Sequence, residues 1–151
     1  MNKQFKKGFT LIELLVVIAV IALLTAIVLA SLSSAKSRGA DANIKATLKG
    51  IQSQANLYFS NYGDFGIAAN SCATAGSIFT NVTTYGLSKL VTAAQAKTTV
   101  VCGASGAPAT TWSVSAQSKA NPAQFMCVDS AGAFKIMTEG TPPSRSACLE
   151  S

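Results

Sequence analysis

The chain opens on a stretch where hydrophobic positions are continuous rather than patterned. From Phe9 to Leu32, FTLIELLVVIAVIALLTAIVLASL, 24 residues carry one charge, Glu13. At about 1.5 Å rise per residue this predicts a helix of roughly 36 Å, longer than a hydrocarbon core of about 30 Å. The run lacks Pro and Gly, so a straight helix is expected. Beyond Leu32 the chain turns amphipathic. Ala40, Ile44, Leu48, Ile51, Ala55, Tyr58 and Tyr62 recur by threes and fours, one face of a helix. Asp41, Lys45, Lys49, Gln52 and Asn56 fall on other faces. Gly39 and Gly50 each cost about 1 kcal/mol relative to Ala within a helix, which predicts close packing or a bend there. Gly63 is a natural stop. One helix is therefore expected, with a lipid half over residues 9–32 and an amphipathic half over 33–63.

Residues 64–98 are rich in Ala, Ser, Thr, Asn and Gly and read as a loop-heavy connection. GLSKLVTAAQAK, residues 86–97, is its best helix candidate. Strand signals follow at Thr98–Cys102, Trp112–Ala116, Gln124–Val128 and Ala133–Met137. Trp112, Val114 and Ala116 alternate as one buried face would. Asp129-Ser130-Ala131-Gly132 supplies turn residues between β-prone flanks, predicting a hairpin. The expected class is α+β: a long amino-terminal helix, transmembrane and then amphipathic, packed on an antiparallel sheet of three or four strands within residues 64–151.

Composition agrees with a lipid-embedded part. Charged residues make up 12% of the chain, against about 25% in ordinary soluble domains. Mean hydropathy is +0.36. Histidine is absent, which excludes triads and metal clusters built on imidazole. The net charge is +6, and Lys3, Lys6 and Lys7 sit together before the apolar run. These lysines hold that end in the cytoplasm and send the rest outward; Lys36 and Arg38 weaken the asymmetry without reversing it. A secretory signal would need an apolar region of about 7–15 residues and a cleavage site after it. This run is too long and continues straight into more helix. A plain signal anchor explains everything except Glu13, since a carboxylate in lipid costs about 2.5–3.5 kcal/mol and normally marks a function.

KKGFTLIELLVVIAVIALL resembles the leader and helix start of a type IV pilin or pseudopilin, over roughly residues 6–32. The resemblance implies the pilin lollipop fold and a class III leader, residues 1–8. A membrane aspartyl peptidase would cut between Gly8 and Phe9 and then N-methylate Phe9. The family's glutamate matches Glu13. On stacking of subunits its carboxylate can meet the Phe9 amine of a neighbour, an ion pair suited to fixing register. Many family members carry Gly and Pro in the second half of this helix, where the chain can melt on assembly; IALLTAIVLASL has neither.

The implied partners are other copies of the chain in a helical filament, the prepilin peptidase and N-methyltransferase, the inner-membrane assembly machinery, and lipid before assembly. The implied location is a single-pass membrane precursor and then an extracellular filament. The implied role is that of a structural subunit of a type IV pilus, in adhesion, motility or DNA uptake. A pseudopilin of a type II secretion system is the alternative, although residues 138–151 offer only Glu139 and Glu150 toward its usual calcium loop. A minor DNA-uptake pilin is a third reading. Lys36, Arg38, Lys45 and Lys49 could stripe a helix for DNA, but no aromatic cluster beside them would stack bases, so a solvated face is preferred.

Cys72, Cys102, Cys127 and Cys148 all fall in the outward part, and an even number there reads as disulfides. Three connectivities are open. The pairing Cys72–Cys102 with Cys127–Cys148 is preferred, because family members often tie the tail back onto a strand. No CxxC spacing supports a metal site, and no cofactor is expected. GASGAP, residues 103–108, has no Lys and no following helix, so it is no phosphate loop. Asn81-Val82-Thr83 fits a glycosylation sequon that arises often by chance. Asp64, Asp129, Glu139 and Glu150 are too scattered for acid–base work. No enzyme activity is expected.

Overall fold

A computed structural model describes residues 10–138 and residue 148. The element order is α1 (Leu11–Tyr62), α2 (Ser88–Gln95), β1 (Val100–Gly106), β2 (Ala109–Gln117), β3 (Gln124–Asp129) and β4 (Phe134–Thr138). The chain divides into two compact units, Met1–Lys36 and Ser37–Ser151.

In the first unit, α1 begins with a reciprocal cap. Thr10 and Glu13 form the T-x-x-E box: Glu13 Oε2 accepts from Thr10 N–H and from its hydroxyl, both at 2.8 Å, and Glu13 N–H donates to Thr10 Oγ1 at 3.4 Å. Within the helix, the Thr25 hydroxyl donates to the Ile21 carbonyl at 2.7 Å, satisfying its polar group locally.

In the second unit, four antiparallel strands lie in the order β1-β2-β3-β4. Period-two alternation sends Trp112, Val114 and Ala116 to one face, where register joins them to Ala104, Cys102 and Val100 on β1. Val128 and Met126 continue that face on β3. Ile44, Leu48, Ile51, Ala55 and Tyr58 of α1 pack into the same core, each no more than 5% exposed. Burying one such aliphatic side chain is worth about 1.5–3 kcal/mol, so this stripe binds helix to sheet. The expected face is present from Ile44 to Tyr58, whereas Tyr62 is half exposed at the last turn. Gly63, at φ 80°, ends the helix where an L side chain would be strained.

The glycines inside α1 do not behave as expected. A Cβ at Gly39 would meet nothing within 4 Å, and one at Gly50 would only touch Leu90 Cδ1 at 4.0 Å. Neither marks a close approach of backbones, and α1 is a single element across both. Gly86 is where space is tight, since a Cβ there would collide with the Asn81 carbonyl.

Polar side chains fasten the layers. Asp41 accepts from Ser118 Oγ (2.6 Å), Lys119 N–H (2.6 Å) and Ala120 N–H (3.2 Å), so it caps the β2–β3 connection from the helix. Burial of this carboxyl opposes its charged form, but those three donors outweigh it and hold the Asp41 pKa below its ordinary value. Gln52 Nε2 reaches the Asp129 carbonyl at 3.4 Å. Burial pushes the Tyr58 phenol up, against the bond it receives from Asn81 Nδ2 at 3.2 Å. Trp112 Nε1 and Ser115 Oγ are buried with no hydrogen-bond partner among the described residues.

The opposite face of the sheet carries a smaller apolar cluster of Cys127, Met137 and Cys148, with Phe125 beside it. The two disulfides are Cys72–Cys102 and Cys127–Cys148, with Cα–Cα distances of 4.9 and 5.8 Å. The first ties the long connection to β1, where Ala69 also bridges Ala104. The second ties residue 148 to β3, the pairing preferred from the family resemblance.

Candidate assembly surface

The chemistry-bearing part of this chain is a surface rather than a cleft. Every large apolar side chain from Leu11 to Leu32 is at least 52% exposed, and Leu11 reaches 82%. Fifteen leucines, isoleucines and valines point outward all around one helix, with none of the alternation that would bury one side. Isolated apolar residues on a surface are ordinary, but a continuous apolar surface of this extent requires a partner phase. This helix is long and apolar enough to cross a membrane.

Glu13 is the single charge in that surface among the described residues, and it lies in the first helical turn. Its carboxylate is occupied by Thr10 through the cap described above. A carboxylate at a helix amino terminus also meets the positive end of the macrodipole. The sequence reading singled out Glu13 for its cost in lipid and passed over Thr10; the T-x-x-E spacing was the signal that would have found the pair. Gly8 and Phe9, the expected cleavage and methylation positions, lie outside the described residues.

The remaining candidates are dispersed. Lys36, Arg38, Lys45 and Lys49 are exposed. Lys45 Nζ sits 4.7 Å from the Phe134 ring centroid, a cation–π contact that makes it partly structural. Asn81 of the sequon is half-buried; Nδ2 is given to Tyr58, and Oδ1 accepts from Thr83 N–H at 2.9 Å. Its amide is thus committed to an internal turn. The stretch 103–108 forms the end of β1 and the β1–β2 hairpin, with a register shift between Ser105 and Gly106. Asp64 accepts from Gly66 N–H at 2.7 Å, and Asp129 serves its own turn and residue 148. The structure does not bring these acids together.

Comparison with known proteins gives this surface a family. Residues 3–29 match the model of the prokaryotic N-terminal methylation motif, which covers the leading lysines and the apolar run as far as Leu29. Fimbrial protein EcpC of Eikenella corrodens is 36% identical over 115 residues, spanning 70% of this chain and 73% of that protein. No solved structure matches significantly. The 115 aligned residues far outnumber those of the matched motif, so the alignment runs on beyond the apolar stretch. With the methylation motif matched at its amino terminus and a fimbrial protein 36% identical over 70% of its length, this chain belongs to the type IV pilin family.

Proposed function

We propose that this chain is a structural subunit of an extracellular type IV pilus. The observation that carries the reading is the uninterrupted exposure of Leu11–Leu32 around a helix whose one charge is Glu13. Such a surface has two suitable environments, lipid before assembly and the equivalent helices of other subunits afterwards. Transfer between them costs little, because hydrocarbon and packed leucines are alike as solvents. The fimbrial designation of the relative favours a pilus over a secretion pseudopilus.

The steps follow from chemistry. The prepilin peptidase cuts between Gly8 and Phe9, which removes Lys3, Lys6 and Lys7 and leaves the helix attached. The new Phe9 amine is methylated by the same enzyme and stays positive. Thr10 holds the Glu13 carboxylate at the helix start in the unassembled chain. In the filament the amine of a neighbouring subunit competes for it. A subunit with the wrong stagger would leave a charge unpaired in an apolar bundle, an arrangement penalised by several kcal/mol. Apolar packing supplies the affinity and Glu13 the register. The precursor sits with its amino terminus in the cytoplasm, and the unit from Ser37 onward lies outside.

The test is the intact, non-reduced mass of the protein in filaments sheared from cells. The expected species begins at Phe9, one methyl heavier and four hydrogens lighter than the plain chain. A full-length chain confined to the membrane would leave a single-pass anchored protein and sink the pilus reading.

A further inference from the structure

One of the two disulfides is accompanied by a second, noncovalent tie. Asp129 ends β3 two residues beyond Cys127, so both side chains leave the same face of that strand. The Asp129 side chain is 4% exposed. Its Oδ1 accepts from the N–H groups of Ala131 (3.0 Å) and Ala133 (3.1 Å), which shapes the β3–β4 turn. Its Oδ2 accepts from the Cys148 N–H at 3.0 Å. Residue 148 is therefore held to β3 twice, by Sγ through Cys127 and by its amide through Asp129.

The described turn donors reach Oδ1, and the Cys148 N–H reaches Oδ2. A carboxylate this buried in the folded chain depends on such donors, so the native placement of residue 148 and the burial of Asp129 go together. Before the sulfur–sulfur bond exists, the amide contact is the one of the two ties that can already form. We infer that Asp129 is a positioning residue for oxidative folding: its carboxylate captures the backbone N–H of residue 148 and brings the Cys148 thiol to Cys127. This contact selects one pairing from the three that four cysteines allow.

The covalent step is thiol–disulfide exchange with an external disulfide, here oxidised glutathione. The thiolate of one cysteine attacks a glutathione sulfur, and one glutathione thiolate leaves. The thiolate of the second cysteine then attacks the protein sulfur of the mixed disulfide, and the second glutathione thiolate leaves. The cysteine pair loses two electrons and two protons, and both glutathione molecules end as thiols. Asp129 touches none of the reacting atoms and acts on the distance between them.

A carboxylate near a thiolate disfavours the charged sulfur. An Asp129 acting through its charge alone would slow closure, and Asp129→Asn would then speed it. Positioning predicts the opposite. Asn keeps an acceptor for the turn but presents an amide NH2 where the Cys148 N–H needs an oxygen.

The experiment oxidises the reduced full-length chain in detergent with a glutathione mixture, traps free thiols over time and maps the bonds by mass. Asp129→Asn is expected to slow Cys127–Cys148 closure about tenfold, the effect of losing one charge-assisted hydrogen bond. Mixed glutathione disulfides should accumulate on Cys127 or Cys148, while Cys72–Cys102 closes at the parent rate. Unchanged or faster closure, or equal slowing of both bonds, overturns the inference. Amide exchange at residue 148 in the Cys127→Ser, Cys148→Ser chain reads the capture directly. Protection there supports it, and exchange at the rate of an unstructured peptide overturns it.

Discussion

Two stretches of α1 share a secondary structure and little else. Leu11–Leu32 buries none of its large apolar side chains, whereas Ile44, Leu48, Ile51 and Ala55 are fully buried. Backbone hydrogen bonding cannot be the source of the difference, because both stretches satisfy it within the same helix. What differs is the periodicity of polar residues. A leucine at every bearing round the axis specifies no internal partner, while a leucine every third or fourth residue specifies one side and hence a sheet to lie against it. The two stretches should accordingly answer differently to the same kinds of substitution.

The largest effect should come from Glu13→Ala, which leaves Leu11–Leu32 without a charge. Surface filament recovered by shearing should fall to a small fraction of the parent yield, with processed monomer retained in the membrane. Normal yield would remove Glu13 from the assembly mechanism and leave packing alone. Next in size is a paired leucine test on thermal unfolding of the globular unit. Leu48→Ala should cost about 2–5 kcal/mol, the range for emptying a tightly packed core site. Leu23→Ala, at a side chain 67% exposed, should leave that transition within about 0.5 kcal/mol of the parent. Equal losses would show that the two stretches are not separate in stability.

A smaller and pH-dependent effect belongs to Asp41. Its pKa is lowered on folding from the ordinary 3.8, so its clamp on residues 118–120 stabilises the fold above that pH. That contribution is lost as pH falls through the folded value. Asp41→Asn should therefore lower stability at neutral pH by about 1 kcal/mol, the scale of hydrogen bonds to a charged group reduced by solvent screening at a partly exposed carboxylate. The gap to the parent should narrow below pH 4. A constant gap across that range would mean the carboxylate's charge plays no part.

Legibility in the sequence follows the same division. Helix and strand locations were readable because they rest on local repetition, and the observed strands begin within three residues of the expected ones. β1 ends four residues later than expected, through Gly103-Ala104-Ser105-Gly106. Those small residues have little strand preference of their own and are held extended by pairing with β2. The methylation motif was legible because it is a contiguous string. The clamps were not. Asp41 read only as a residue off the apolar face and Asp129 as a turn residue, since the distant donors they serve lie 77 to 79 and 19 positions away. Long-range hydrogen bonds leave no periodic trace.

The two disulfide loops do not overlap: one spans 30 positions and the other 21. For a chain pulled along its length, this arrangement sets a limit that stability does not. Even when every strand has come apart, the covalent path of load jumps from Cys72 to Cys102 and from Cys127 to Cys148. About 170 Å of contour, at ~3.4 Å per residue, is then withheld from stretching. A subunit carrying tension can therefore lose its fold and still lengthen by far less than its sequence would permit.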